Sequence, residues 1–187
     1  MVQIEYSQLL GELRKVARDA GLEIMQIYES SIDVDFKDDG SPVTLADQAA
    51  EKIILKRLKD IIPHIPIVSE ENASSHHLEA SDQFFLIDPL DGTKEFLKKD
   101  GLGSFTVNIG LIEKGVPTLG VVFAPALNRM FFASTPSGAY EETENGIEKI
   151  VVREVPNSGP VAVASVSHRD ELTNNWLKNN NIKDTIS

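Results

Sequence analysis

The chain has 187 residues, 41% hydrophobic and 25% charged, an ordinary balance for a globular protein of one domain or one domain plus part of a second. Eighteen Lys and Arg against 29 Asp and Glu give a formal charge of −11, a surface that repels a nucleic-acid backbone, and no basic stripe offsets it. The absence of cysteine excludes a disulfide framework and a thiolate metal site, and an acidic protein that handles phosphate needs metal ions to neutralise both partners.

The N-terminus, Met1 to Tyr6, lacks the basic-then-apolar pattern of a signal peptide. No apolar run approaches membrane-spanning length, so a soluble protein with no transmembrane segment is expected. From Tyr6 to Glu29, Leu9, Leu13, Val16, Ala17, Ala20, Ile24 and Ile27 recur at helical spacing and predict an amphipathic helix. Asp38 to Pro42 is a polar loop rich in turn residues. A second helix is predicted from about Thr44 to Ile61, with Ala46, Ala50, Ile53, Ile54, Leu58 and Ile61 on one face. Pro63 and Pro66 stop it and lead into a strand, Ile67 to Ser69.

Gln83 to Ile87 is a short continuous apolar run, read as a strand buried on both faces. An antiparallel series follows. Phe105, Val107, Ile109 and Leu111 alternate with polar or small residues, and Glu113 to Gly115 makes a turn. Leu119 to Phe123 returns, and Arg129 to Ala133 comes next. Strands near Ala139–Glu142 and Ile147–Val152 are joined across Asn145-Gly146, a hairpin signal. Pro156 to Pro160 reads as a boundary before a strand, Val161–Ser165, and a helix, Glu171–Asn179. The expectation is an α+β fold with two N-terminal helices packed on a mostly antiparallel sheet. Residues 1–158 form the first domain, and 159–187 are the incomplete start of a second α/β domain.

Carboxylates gather where these elements end. Asp47 lies in the first turn of the second helix, Glu70 and Glu71 follow one strand, and Asp88 and Asp91 follow another. Each has a plain reading on its own: a capping-box partner of Thr44, a solvated strand end, and a turn, respectively. Together they repel unless a cation compensates them, and hard divalent ions with oxygen ligands do so. Asp88-Pro-Leu-Asp-Gly-Thr93 sets two carboxylates three residues apart, then a Gly that permits close backbone approach, then a hydroxyl. Lys94 to Lys99 reads as a short helix whose free N–H groups would face an anion.

In these residues the chain resembles the inositol monophosphatase-like superfamily of magnesium-dependent, lithium-sensitive phosphatases. Asp47 in Val43–Asp47, the Glu70-Glu71 pair and Asp88–Thr93 match its motifs in order and separation. Gly92-Thr-Lys-Glu-Phe96 and Ala164–Asp170 resemble the branch of CysQ-type 3'(2'),5'-bisphosphate nucleotidases. The resemblance implies a layered α/β sandwich of the sugar-phosphatase type and two or three Mg²⁺ ions per complete site. One ion would be held by Glu70, Asp88 and the Leu90 carbonyl, and a second shared by Asp88 and Asp91. It implies catalytic roles for Asp47, Glu70 and Thr93: Thr93 activates water, Asp47 orients Thr93, and Glu70 assists. Substrate would be held by Glu70, Leu90, Asp91 and the backbone N–H groups of Gly92 and Thr93. Ser165 and His168 would line the nucleotide site, although His168 taken alone reads as a surface or helix-capping residue sooner than as a ligand.

The implied substrate is adenosine 3',5'-bisphosphate, cleaved to AMP and phosphate in cytoplasmic sulfur metabolism. Some relatives associate peripherally with the inner membrane. Inositol phosphates or sugar phosphates are the alternative substrates. The loop Lys37–Pro42 would be a mobile flap. The superfamily's Trp-Asp-x-x-Ala-Gly motif has no counterpart: the single tryptophan, Trp176, is followed by no carboxylate. The second domain is therefore expected to be truncated, leaving the second metal short of a ligand and apolar surface available for homo-oligomerisation. A non-catalytic domain that binds Mg²⁺ and phosphate is the reading from another class.

Overall fold

The computed structural model describes residues 5–29, 34–36, 42–77, 81–99, 102–135, 137–164, 169–182 and 184–186. The chain divides into two compact units, Met1–Ile150 and Val151–Ser187. In the first unit α1 (Tyr6–Glu29) is followed by a two-stranded antiparallel ladder, β1 (Val34–Phe36) with β2 (Pro42–Thr44), and then by α2 (Leu45–Ile61). The sheet is built from β3 (Ile67–Ser69), β4 (Gln83–Asp91), β5 (Thr106–Glu113), β6 (Val116–Ala124), β7 (Arg129–Ser134), β8 (Gly138–Thr143) and β9 (Gly146–Ile150). Its seven strands lie in chain order; β3 runs parallel to β4, and each later neighbour is antiparallel. A short helix, α3 (Thr93–Lys98), interrupts the run between β4 and β5. The predicted α+β class and mostly antiparallel sheet are observed.

Strand alternation explains the core. Phe85 and Ile87 of β4, Val107, Ile109 and Leu111 of β5, and Leu119, Val121 and Phe123 of β6 are buried on one face. They meet Leu13, Val16, Ala17, Ala20 and Ile24 of α1 and Ala50, Ile54 and Leu58 of α2. Gly21 lets α1 lie close to the sheet, since a Cβ there would stand 2.5 Å from the Phe123 ring. The Tyr6 hydroxyl donates to Glu113, and Glu142 of β8 accepts from Arg14 Nε at 3.1 Å and Arg18 Nη2 at 3.0 Å. These bonds fix the helix at both the β5 and the β8 side.

One expectation needs correction. The apolar run in β4 is not buried on both faces, because within this unit the two long helices cover only one side of the sheet. Leu86 is 48% exposed, and the strand continues through Pro89 to Asp91.

The second unit is a small β-α-β arrangement. β10 (Val161–Val163) leads to α4 (Glu171–Asn179), and β11 (Asp184–Ile186) pairs parallel to β10. Asp170 caps α4 by accepting from the Thr173 amide at 2.8 Å. No helix among the described residues is long and apolar enough to cross a membrane.

Candidate active site

The carboxylates meet where β3 and β4 end side by side. The Glu70 amide donates to the Ile87 carbonyl at 3.1 Å, which extends the parallel ladder by one bond and sets Glu70 next to Asp88. Asp88 pairs with Asn108, and Asp91 pairs with Thr106. Three steps on β4 thus oppose two on β5, which is a bulge of one residue. Residues three apart on a regular strand face opposite ways; the extra residue turns Asp88 and Asp91 to the same side. Leu90, one of the two residues between them, is 2% exposed and packs in the core instead.

Gly92 then reverses the chain. It has φ 85° and ψ 35°, in the left-handed region, and its Cα lies so close to β5 that a Cβ would stand 2.6 Å from the Ser104 carbonyl oxygen. No side chain caps α3, so its first amides are not consumed by a capping residue. The Thr93 hydroxyl donates to the Leu90 carbonyl at 3.2 Å, closing the loop on itself. Beneath it, Phe96 stacks against Tyr28 and Phe105 at centroid distances of 5.1 and 5.2 Å, and Tyr28 meets Phe105 at 5.1 Å. This aromatic trio ties α1, α3 and the approach to β5 under the loop.

The electrostatics of the cluster are unfavourable without a cation. Burial, then the charges of Glu70 and Asp91 and a hydrogen bond with Glu70, push Asp88 up to about 7. Sharing a proton is how a partly buried carboxylate pair lowers its repulsion. A hard divalent ion would do the same, and the donors here (carboxylates and the Leu90 carbonyl) are all oxygen, the set such ions prefer. Among the described residues no three His, Asp or Glu side chains converge as a metal cage. The carboxylate pair and carbonyl of the first expected ion require no third side chain, so the donor set fits that ion.

Asp47, in the first turn of α2, is 3% exposed. Glu51 follows one helical turn later and accepts a hydrogen bond from the Ser69 hydroxyl, next to Glu70. The open face of the sheet forms a groove of about 1060 Å³, with Glu70, His76 and Asp88 among its lining and apolar side chains such as Leu86 and Val122 along it. Ser165, His168 and most of the expected flap, residues 37–41, lie outside the described residues. Sequence reasoning passed over the 3-10 turn Ala73–His77, whose Ser75 and His76 both bond to Ser69. Its only sequence signal is a polar run, which any loop shares.

The inositol monophosphatase family model matches residues 5–184. The 3'(2'),5'-bisphosphate nucleotidase CysQ of Salmonella typhimurium is 42% identical over 174 residues, covering 91% of this chain and 68% of that protein. Its namesake in Buchnera aphidicola is 42% identical over 176 residues, covering 92% of this chain and 65% of that protein. The chain therefore spans about two thirds of the length of these curated relatives. The crystal structure of CysQ from Bacteroides thetaiotaomicron, described as a bacterial member of the same family, matches with a TM-score of 0.76 and 29% identity, over 96% of this chain and 71% of that one. Fold, motif order and sequence agree: the chain belongs to the inositol monophosphatase family.

Proposed function

We propose that the chain is a magnesium-dependent phosphomonoester hydrolase of the 3'(2'),5'-bisphosphate nucleotidase type, acting on the 3'-phosphate of adenosine 3',5'-bisphosphate. The observation that carries this reading is the Glu70–Asp88 carboxylate pair, with the Asp91 charge acting on it, beside the Gly92–Thr93 turn, in a chain 42% identical to nucleotidases of that name. Glu70, Asp88 and the Leu90 carbonyl would hold one Mg²⁺, and Asp88 with Asp91 a second. Bound there, the ions would supply charge neutralisation and Lewis acidity at the phosphate.

The chain's own residues do the rest. The amides of Gly92 and Thr93 bind phosphate oxygens as α3 begins, where helical N–H groups lack partners of their own. The Thr93 hydroxyl donates to the Leu90 carbonyl here; its oxygen can take a proton from the attacking water when its own hydroxyl proton turns away from that carbonyl and is released in the same step. Asp47, buried on α2, is the group proposed to orient Thr93 and draw that proton on. The cellular role would be in sulfur metabolism.

A phosphate-release assay in Mg²⁺ with adenosine 3',5'-bisphosphate, inositol 1-phosphate and fructose 1,6-bisphosphate tests the assignment. Preference for the inositol ester overturns the nucleotidase reading, and turnover retained in Asp88→Ala overturns the shared-ligand picture. One observation favours a second reading, Mg²⁺ and phosphate binding without turnover: no three acidic or imidazole side chains converge among the described residues. Mg²⁺ calorimetry beside the same assay separates the two.

A further inference from the structure

Glu70 is the first residue beyond β3, an edge strand, so nothing in the sheet itself fixes the outward side of its backbone. Ser69, immediately before it, is nevertheless fully buried, and each of its polar atoms is engaged. Its amide donates to the Ser75 hydroxyl at 3.0 Å, and its own hydroxyl donates to Glu51 of α2. Its carbonyl lies 2.8 Å from His76 Nε2, and because a carbonyl can only accept, that nitrogen carries the proton. The Ser75 hydroxyl has one proton to give. It lies 2.6 Å from the Asn72 carbonyl and 3.3 Å from that of Ser69, so it donates to Asn72 while accepting from Ser69.

The 3-10 turn Ala73–His77 therefore closes back on the strand end. It takes the place of the missing neighbour strand: one hydroxyl and one imidazole satisfy the edge amide and carbonyl at a single residue. On the other side, the Glu70 amide is held by Ile87, the residue before Asp88. Glu70 is thus anchored from both directions, one anchor made by the sheet and one by this turn.

We infer that Ser75 and His76 are positioning residues for Glu70, holding its carboxylate at the separation from Asp88 that a divalent cation requires. This rests on the reading of Glu70 and Asp88 as ligands of one ion. A carboxylate on an unanchored strand end spends part of its time away from its co-ligand, and groups that orient metal ligands set affinity as the ligands do.

The test is Mg²⁺ calorimetry on the full chain, with amide hydrogen exchange in the absence of metal. Ser75→Ala is expected to weaken Mg²⁺ binding by roughly tenfold, and His76→Ala, at an exposed position, by roughly threefold or more. Ser75→Thr, which keeps the hydroxyl, should stay within about twofold of the parent, and this rescue separates hydrogen bonding from mere loop disturbance. In Ser75→Ala the amides of Ser69 and Glu70 should exchange at least about tenfold faster, while that of Ile109 in mid-sheet is unchanged. A parent that binds no Mg²⁺ overturns the site reading and the inference with it. A parent that binds, with both alanine variants binding equally well, overturns the positioning role alone, as does unchanged Glu70 exchange in Ser75→Ala.

Discussion

Gly92 offers a substitution whose effect separates into two terms. At φ 85° an alanine takes on left-handed strain, about 1–2 kcal/mol for a residue with a Cβ. Its Cβ would also stand 2.6 Å from the Ser104 carbonyl oxygen and 3.2 Å from the Phe105 Cα, both backbone atoms that no rotamer change can move aside. Opening such a contact in a packed region costs about 1–3 kcal/mol more. Gly115 isolates the first term: it has φ 77° but nothing within 4 Å of a Cβ. Gly115→Ala should therefore lower the melting temperature by about 2–8 °C and Gly92→Ala by about 4–20 °C, at about 2–4 °C per kcal/mol for a chain of this size. Thermal unfolding by circular dichroism reads both. If Gly92→Ala costs no more than Gly115→Ala, the close approach of this turn to Ser104 and Phe105 is not what fixes it, and the reasoning fails.

The remaining predictions concern charge and packing. Because the folded state raises Asp88 to about 7, it binds that proton more tightly than the unfolded chain, whose value is 3.8. The stabilisation is full below about pH 4 and lost as pH rises through about 7, amounting to roughly 1–2 kcal/mol once solvent screening of a partly exposed group is allowed for. Without Mg²⁺, melting temperature should fall between about pH 4 and pH 7 and Asp88→Asn should flatten the fall; identical profiles for the two proteins would refute the assignment. Phe96 is fully buried between Tyr28 and Phe105, so Phe96→Ala should cost about 3–5 kcal/mol in urea unfolding. A loss under about 1 kcal/mol would mean that the trio does not support the loop.

Much of the fold is legible where a period runs long enough to be counted. The apolar residues from Leu9 to Ile27 specify α1 almost to its ends, because seven matches to one face leave no strand alternative. β5 and β6 show period two and were recognisable for the same reason. The short pieces carry no period: β1, β2 and β11 have three residues each, and β11 exists only because β10 is there to pair with it. The apolar stretch of β4 is ambiguous by nature, since Phe84 and Leu86 have the same composition as a buried pair while Leu86 faces outward. Pro89 hid the rest of that strand. A proline normally argues for a strand's end, but in a bulge its missing N–H leaves no ladder bond unmade.

The site shows the same division between chemistry and geometry. Residue types and order marked Asp47, Glu70, Asp88, Asp91 and Thr93, because few purposes other than cation binding assemble so many carboxylates at the ends of packed elements. On a regular strand, however, the offset of three would divide Asp88 and Asp91 between faces, in conflict with a shared site. The bulge resolves that conflict, and it is a property of the β4–β5 pairing rather than of either segment.

What the bulge achieves is also costly. It brings like charges near a carboxylate that burial already disfavours, and together they push Asp88 up to about 7, a repulsion that the surrounding scaffold withstands. The Glu70 amide is held by Ile87 and its neighbour Ser69 by Ser75 and His76, Gly92 stands where no other residue fits without strain, and three aromatic rings fill the space below. A site optimised for stability alone would have an amide at position 88. Asp88→Asn should thus raise the stability of the metal-free protein near pH 8 while weakening its hold on Mg²⁺, the opposite signs expected when a cluster is kept for binding rather than for folding.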